Sequence, residues 1–147
     1  MFYSAQEIQC IRSNAKDQNL EAPDLFWRCP AEDLVTICNG CGSENLPQSL
    51  RKILSWIYRN YTAAHCIHDF DYTLSDGSDS TFEAVNLRFY KNLRIIWKEK
   101  YGLLRWINPV ALWGLKKIRI AFKTVSVYGK SAWLAAYAKK ITVEGEQ

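Results

Sequence analysis

Apolar residues recur along this chain at helical spacing far more often than at the alternating spacing of a strand. Leu50, Ile53, Leu54, Ile57 and Tyr58 fall at i, i+3, i+4, i+7 and i+8, one face of a helix. Phe82, Val85, Phe89, Leu93 and Trp97 repeat mostly at three- and four-residue steps, and Val110, Trp113, Leu115, Ile118 and Phe122 form a further apolar set beyond Asn108-Pro109. Boundaries are marked as well. Ser4-Ala-Gln-Glu7 and Ser80-Thr-Phe-Glu83 have the capping-box pattern, a hydroxyl at the N-cap and a carboxylate three residues on. Pro30-Ala-Glu-Asp33 suits a first helical turn, because proline lacks only an N–H that has no partner there and acids favour the positive helix end. Gly40 and Gly42 are expected to stop that helix, Ser75-Asp-Gly-Ser-Asp79 marks a turn, and Gly129 ends the helix begun at Pro109. Thr62–Tyr72 is expected to form another helix and Ser131–Ala138 a last short one. Only Thr124–Tyr128 and Ile141–Glu144 alternate well enough to admit short strands. The pattern predicts a mainly α protein, and with no repeat or low-complexity segment, residues 1–147 are read as a single domain.

Composition agrees with a packed core. The chain has 147 residues, 48% of them hydrophobic and 14% aromatic, which excludes a disordered chain. The uncharged stretch Trp106–Leu115 is only ten residues long, against the ~20 a membrane-spanning helix requires. Glu7 and Arg12 arrive before any apolar block, so no signal peptide is expected. The expectation is a cytoplasmic protein, its five cysteines reduced. Glycine-rich nucleotide motifs are missing from the sequence, which leaves kinase and dehydrogenase readings without support.

The net charge of +4 conceals a division. Residues 1–85 carry 6 Lys/Arg against 12 Asp/Glu, whereas residues 86–147 carry 13 against 3. Lys91, Arg94, Lys98, Lys116, Lys117, Arg119 and Lys123 are interleaved with Trp97, Trp106, Trp113 and Trp133. Solvated helix faces account for such a pattern in the simplest way. The interleaving also suits an anionic phospholipid surface at which the protein would be peripheral, with indoles at headgroup level and cations on phosphate. Nucleic acid is the weaker partner, since no helix has the makings of a reading helix.

Chemistry concentrates at His65-Cys66-Ile67-His68-Asp69-Phe70-Asp71-Tyr72, which holds both histidines of the protein. On a helix, His68 and Tyr72 share a face, and so do His65 and Asp69. The plain reading is a half-buried helix with satisfied polar groups. A zinc site is the alternative: Cys38-Asn-Gly-Cys41 makes a two-thiolate turn, and His65, Cys66 or His68 would complete a Zn²⁺ tetrahedron. A thioredoxin-like redox pair at Cys38 and Cys41 lacks the surrounding βαβ pattern.

His68-Asp69-Phe70-Asp71-Tyr72 resembles the active-site helix of the phospholipase A2 superfamily in its short bacterial and phage-type form. The glycine turn Asn39-Gly40-Cys41-Gly42-Ser43 precedes it, where that superfamily places a calcium loop. Val85-Asn86-Leu87-Arg88-Phe89 is similar to the second-helix segment, with Asn92 beyond, and 122–133 is similar to the end of small phage-encoded members. The resemblance implies two long antiparallel helices carrying the site and Ca²⁺-assisted ester hydrolysis of phospholipid. It implies His68 as general base, Asp69 with the carbonyls of Asn39, Gly40 and Gly42 as calcium ligands, and Tyr72 as a brace. Asn86 stands where the superfamily has an aspartate. An amide can accept a hydrogen bond but brings no charge to an imidazolium, and it can also donate and hold the wrong tautomer. The implied enzyme is therefore weakened or inactive, with Glu83 as a partial substitute. The implied alternative is a non-catalytic binding or structural protein on the same scaffold.

Overall fold

The computed structural model describes residues 3–38 and 58–144. Every regular element among them is helical: α1 (Ala5–Asp17), α2 (Asp24–Arg28), α3 (Ala31–Ile37), α4 (Thr62–Thr73), α5 (Asp79–Tyr101), α6 (Pro109–Tyr128) and α7 (Lys130–Glu144), with 3₁₀ turns at Arg59–Tyr61 and Gly102–Trp106. The capping box at α1 forms in full, Ser4 Oγ accepting from the Glu7 N–H at 3.2 Å and Glu7 Oε2 accepting from the Ser4 N–H at 2.7 Å. At α6 the Asn108 side chain caps the backbone of Val110 and Ala111, and Pro109 fills the first helical position. Of the expected helix over Leu50–Tyr58 only Tyr58 is described, as the residue that leads into the 3₁₀ turn, and the stop at Gly40 and Gly42 lies outside the described residues.

The N-cap of α5, both candidate strands and the extent of α7 differ from expectation. The N-cap of α5 is Ser78 rather than Ser80: Ser78 Oγ accepts from the Thr81 N–H at 3.2 Å, and Asp76 accepts from the Thr81 hydroxyl at 2.8 Å. Gly77 at φ +75° turns the chain into this cap, and the helix is under way before Ser80. Neither candidate strand forms. Thr124–Tyr128 completes α6 and Ile141–Glu144 completes α7, which is longer than Ser131–Ala138. In α6 the reason is the core stripe: Ile118, Ala121 and Val125 recur at helical steps and pack inward. Alternation without a partner strand has no ladder to join.

Helix α5 is the spine. Contacts His65–Phe89, His68–Asn86 and Tyr72–Phe82 run in opposite senses along α4 and α5, so the two helices are antiparallel, joined by the turn after Thr73. On another face of α5, Trp97 is fully buried and its indole donates to the Ala111 carbonyl at 2.7 Å. Gly114 permits this approach, because a Cβ there would lie 3.2 Å from the Trp97 ring. Phe26, Leu34, Ile67, Phe70, Phe89 and Leu93 continue the core toward α1 to α3. Asn92, also fully buried, clasps the chain ahead of α2. Its amide donates to the Glu21 carbonyl at 2.8 Å and accepts from the Glu21 N–H at 2.9 Å, satisfying both side-chain functions at once. A smaller cluster of Phe82, Val85 and Trp133 holds α7 against Tyr72. Among the described residues no helix is long and apolar enough to cross a membrane.

Candidate active site between the antiparallel helices

Helical spacing puts His65, His68 and Tyr72 of α4 toward α5, where Asn86 and Phe89 meet them. His68 Nε2 lies 3.1 Å from Asn86 Oδ1, and the Tyr72 hydroxyl donates to the same oxygen at 3.4 Å. An amide oxygen only accepts, so this arrangement selects the tautomer with the proton on Nε2 and the lone pair on Nδ1. The ring itself is fixed by Tyr72 and Phe89, with centroids 4.6 and 4.4 Å away. Burial pushes the His68 pKa down to about 4, outweighing the bond to Asn86, which acts upward. The imidazole is therefore neutral at pH 7 and a weak base. Burial, then the charge of Asp69, push the Tyr72 hydroxyl up, so it remains a donor throughout the working range.

Asp69 is half-buried, one residue past His68. Its charge adds to the larger causes that raise two neighbours: burial for the Tyr72 hydroxyl, and the bond to Cys38 and then burial for the Cys66 thiol. Asn39, Gly40 and Gly42 lie outside the described residues, so Asp69 is the one expected calcium ligand with a described position. Glu83 is exposed and makes no hydrogen bond to His68; buried Asn86 takes the Nε2–H. An open groove of about 530 Å³ runs along α5 to Asn86, lined also by Phe82, Leu87, Phe122 and Ser126, with Lys130 at its edge paired to Asp79.

A buried ion pair went unread in the sequence. Asp71 is 2% exposed and accepts from Arg88 Nη1 at 2.5 Å. Burial raises the Asp71 carboxyl to about 6 although the Arg88 charge opposes it. Only the antiparallel register of α4 and α5 brings these two residues together, and that register is what could have signalled them.

The zinc candidates take other partners. Cys38 and Cys66 are both buried, the Cys38 thiol donating to the Cys66 carbonyl at 3.6 Å. Its bond to Cys38, then burial, hold the Cys66 thiol protonated. His65 packs edge-on between Tyr58 and Phe89. Cys41 lies outside the described residues, and among those described no three His, Cys, Asp or Glu side chains converge as a metal site. The tryptophans separate as well. Trp97 and Trp133 are fully buried and cannot face a membrane as the interleaved pattern suggested, because one lies on the α5 core stripe and the other fills the seam behind Tyr72. Trp106 and Trp113 are 55% exposed.

Both histidines, His68 buried and His65 half-buried, set an acid limit on stability. Burial, then His68, lower His65 from 6.5 to about 3, and His68 falls to about 4. Unfolding lets both take up protons, so their stabilisation is complete above pH 6.5 and is lost as pH falls below it. Asp71 acts in the opposite sense: raised from 3.8 to about 6, its contribution is complete below 3.8 and is lost as pH rises through 6. Two imidazoles outweigh one carboxyl, and the melting temperature should fall between pH 7 and 4.5. His65→Phe keeps an aromatic ring between Tyr58 and Phe89 and removes one titration. Thermal melts across that range should show a shallower fall for the variant; an equal slope would contradict the assignment.

Compared with known proteins, the chain matches no family model, no curated protein and no solved structure.

Proposed function

We propose that this protein is a weak, Ca²⁺-assisted phospholipid ester hydrolase whose general base is His68. The observation that carries the reading is the 3.1 Å pairing of His68 Nε2 with Asn86, which leaves Nδ1 as the proton-accepting nitrogen. In this reading His68 Nδ1 takes a proton from the water that attacks the ester carbonyl. Asn86 holds the tautomer and Tyr72 holds Asn86. Asp69 provides the hard oxygen donor that calcium prefers, with the carbonyls of Asn39, Gly40 and Gly42 as the other ligands implied by the resemblance. Bound calcium would supply electrostatic stabilisation of the developing oxyanion. The groove ending at Asn86 offers apolar walls to an acyl chain through Phe82, Leu87 and Phe122.

A specific observation favours a second reading, a non-catalytic binding protein on the same helices. Asn86 carries no charge, and His68 is depressed to about 4, which removes driving force from proton abstraction. One experiment separates the two. The full chain is assayed for fatty-acid release from phospholipid vesicles with calcium, with chelator, and as His68→Ala. The hydrolase reading expects release that both chelator and the substitution abolish. Release indifferent to His68→Ala would sink it, and no release by the wild-type chain would favour the binding protein.

A further inference from the structure

A helical corner is ordinarily polar or covered; the corner between α5 and α6 is neither. Around the 3₁₀ turn Gly102–Trp106, Leu103 is 91% exposed and Ile107 77%, and Leu104, Trp106, Val110 and Trp113 are all more than half exposed. Isolated apolar residues on a surface are ordinary, whereas a contiguous set within 103–113 marks an interaction surface. Its surroundings define the partner. The Arg105 guanidinium lies 5.5 Å from the Trp106 ring centre and Lys116 Nζ 5.4 Å from that of Trp113. Lys98 and Lys100 are exposed at the end of α5 and Arg119 is exposed on α6, and no acidic residue occurs between Glu99 and Glu144.

We propose that this corner docks into the headgroup region of an anionic phospholipid bilayer. Leu103 and Ile107 lead into the acyl boundary, Trp106 and Trp113 sit at headgroup level, and the flanking cations meet lipid phosphate. Exposure falls from 91% and 77% at Leu103 and Ile107 to 55% at the two indoles, each of which has a cation against its ring, the combination a bilayer surface accepts. A nucleic acid would meet apolar tips with no hydrogen bond to offer a base edge. A second copy packed symmetrically would set these cations against themselves. The surface stands apart from the hydrolase reading, since docking is expected whether or not an ester is cleaved.

The test is co-sedimentation of the full chain with vesicles of equal phosphatidylcholine and phosphatidylglycerol, and with phosphatidylcholine alone. Binding should be stronger to the mixed vesicles, weaken with added salt, and shift tryptophan emission to the blue. The double substitution Leu103→Glu, Ile107→Glu should lower the partition coefficient at least about tenfold, as expected for withdrawing two apolar side chains from the bilayer. Both positions are exposed, so an unchanged melting temperature confirms that the variant is folded. Binding should persist in chelator, and binding abolished by chelator would overturn the proposal by moving it to the proposed calcium site. The proposal is overturned if the double variant binds vesicles undiminished, if duplex DNA is bound in preference, or if the wild type ignores vesicles. In that last case, self-association lost in the double variant would identify a second copy as the occupant.

Discussion

Asn86→Asp is expected to raise the pKa of His68 well above its value of about 4 and, with it, the rate of ester hydrolysis. In the wild type the amide oxygen accepts from Nε2 at 3.1 Å, an orientation that fixes the tautomer but adds no charge. Burial of the ring then decides the pKa, and decides it downward. A carboxylate at the same position accepts the same proton and stabilises the imidazolium that forms when Nδ1 takes a proton from water. The serine-protease triad supplies the scale: replacing its aspartate by asparagine lowers kcat about 10⁴-fold. Here the lone pair is already on the useful nitrogen, so part of that factor is in place, and a gain of roughly 10²-fold is the reasonable expectation. Tyr72 would strengthen the effect by donating to a charged acceptor in place of a neutral one. The opposing cost is a carboxylate at a position only 2% exposed, which an imidazolium at contact distance offsets. NMR titration of His68 and initial rates with calcium check the two parts separately. A raised pKa without a raised rate would leave the dyad real and remove it from the chemistry.

How far the sequence discloses this site depends on the range of the interactions involved. Ser4, Asn108, Pro109 and Gly129 act within one turn of a helix, and each boundary they mark is where it was expected. The pairing of His68 with Asn86 is implied by the resemblance of their two segments and not by the periodic stripes, which only set each residue on a helix. Where a residue's role depends on a third element, the pattern misleads. Thr124–Tyr128 alternates like a strand, yet Ile118, Ala121 and Val125 pack as a helical row. Asp71 and Arg88 read as separate surface charges until the helices are set antiparallel. For the tryptophans, basic neighbours were the wrong guide. Trp97 stands four residues beyond Leu93 on the same stripe, and that spacing already placed it in the core, whereas nothing local distinguishes buried Trp133 from exposed Trp113.

Trp133 is accordingly where a single substitution should dismantle the most. Its side chain is fully buried against Tyr72 and Phe82, with ring centroids at 5.5 and 6.0 Å. The indole donates to the Ser78 carbonyl at 3.2 Å, and the Trp133 carbonyl accepts from Ser75 Oγ at 2.9 Å. Most other described side chains of α7 are exposed or half-buried, so Trp133 is the buried anchor of the helix on the α4–α5 turn, flanked by Lys130 paired to Asp79 and by the Tyr137 ring against Gly77. Trp133→Ala should cost about 3–5 kcal/mol, the usual range for emptying a buried tryptophan site. Much of that loss should appear as release of α7. Amide exchange in 130–140 should approach that of a frayed terminus while α5 stays protected. Trp133→Phe, which keeps a ring but loses the N–H, should cost less and leave α7 docked. The consequence reaches the site through Tyr72. A Cβ on Gly129 would lie 2.4 Å from the Tyr72 hydroxyl, so the α6–α7 junction bears directly on the group that braces Asn86. Once α7 is released, Tyr72 loses its wall and its 3.4 Å bond to Asn86 should weaken. Exchange in α7 as slow as in α5 would contradict the anchoring role. Rapid exchange in α7 with an unchanged His68 titration would confine that role to the helix and separate it from the dyad.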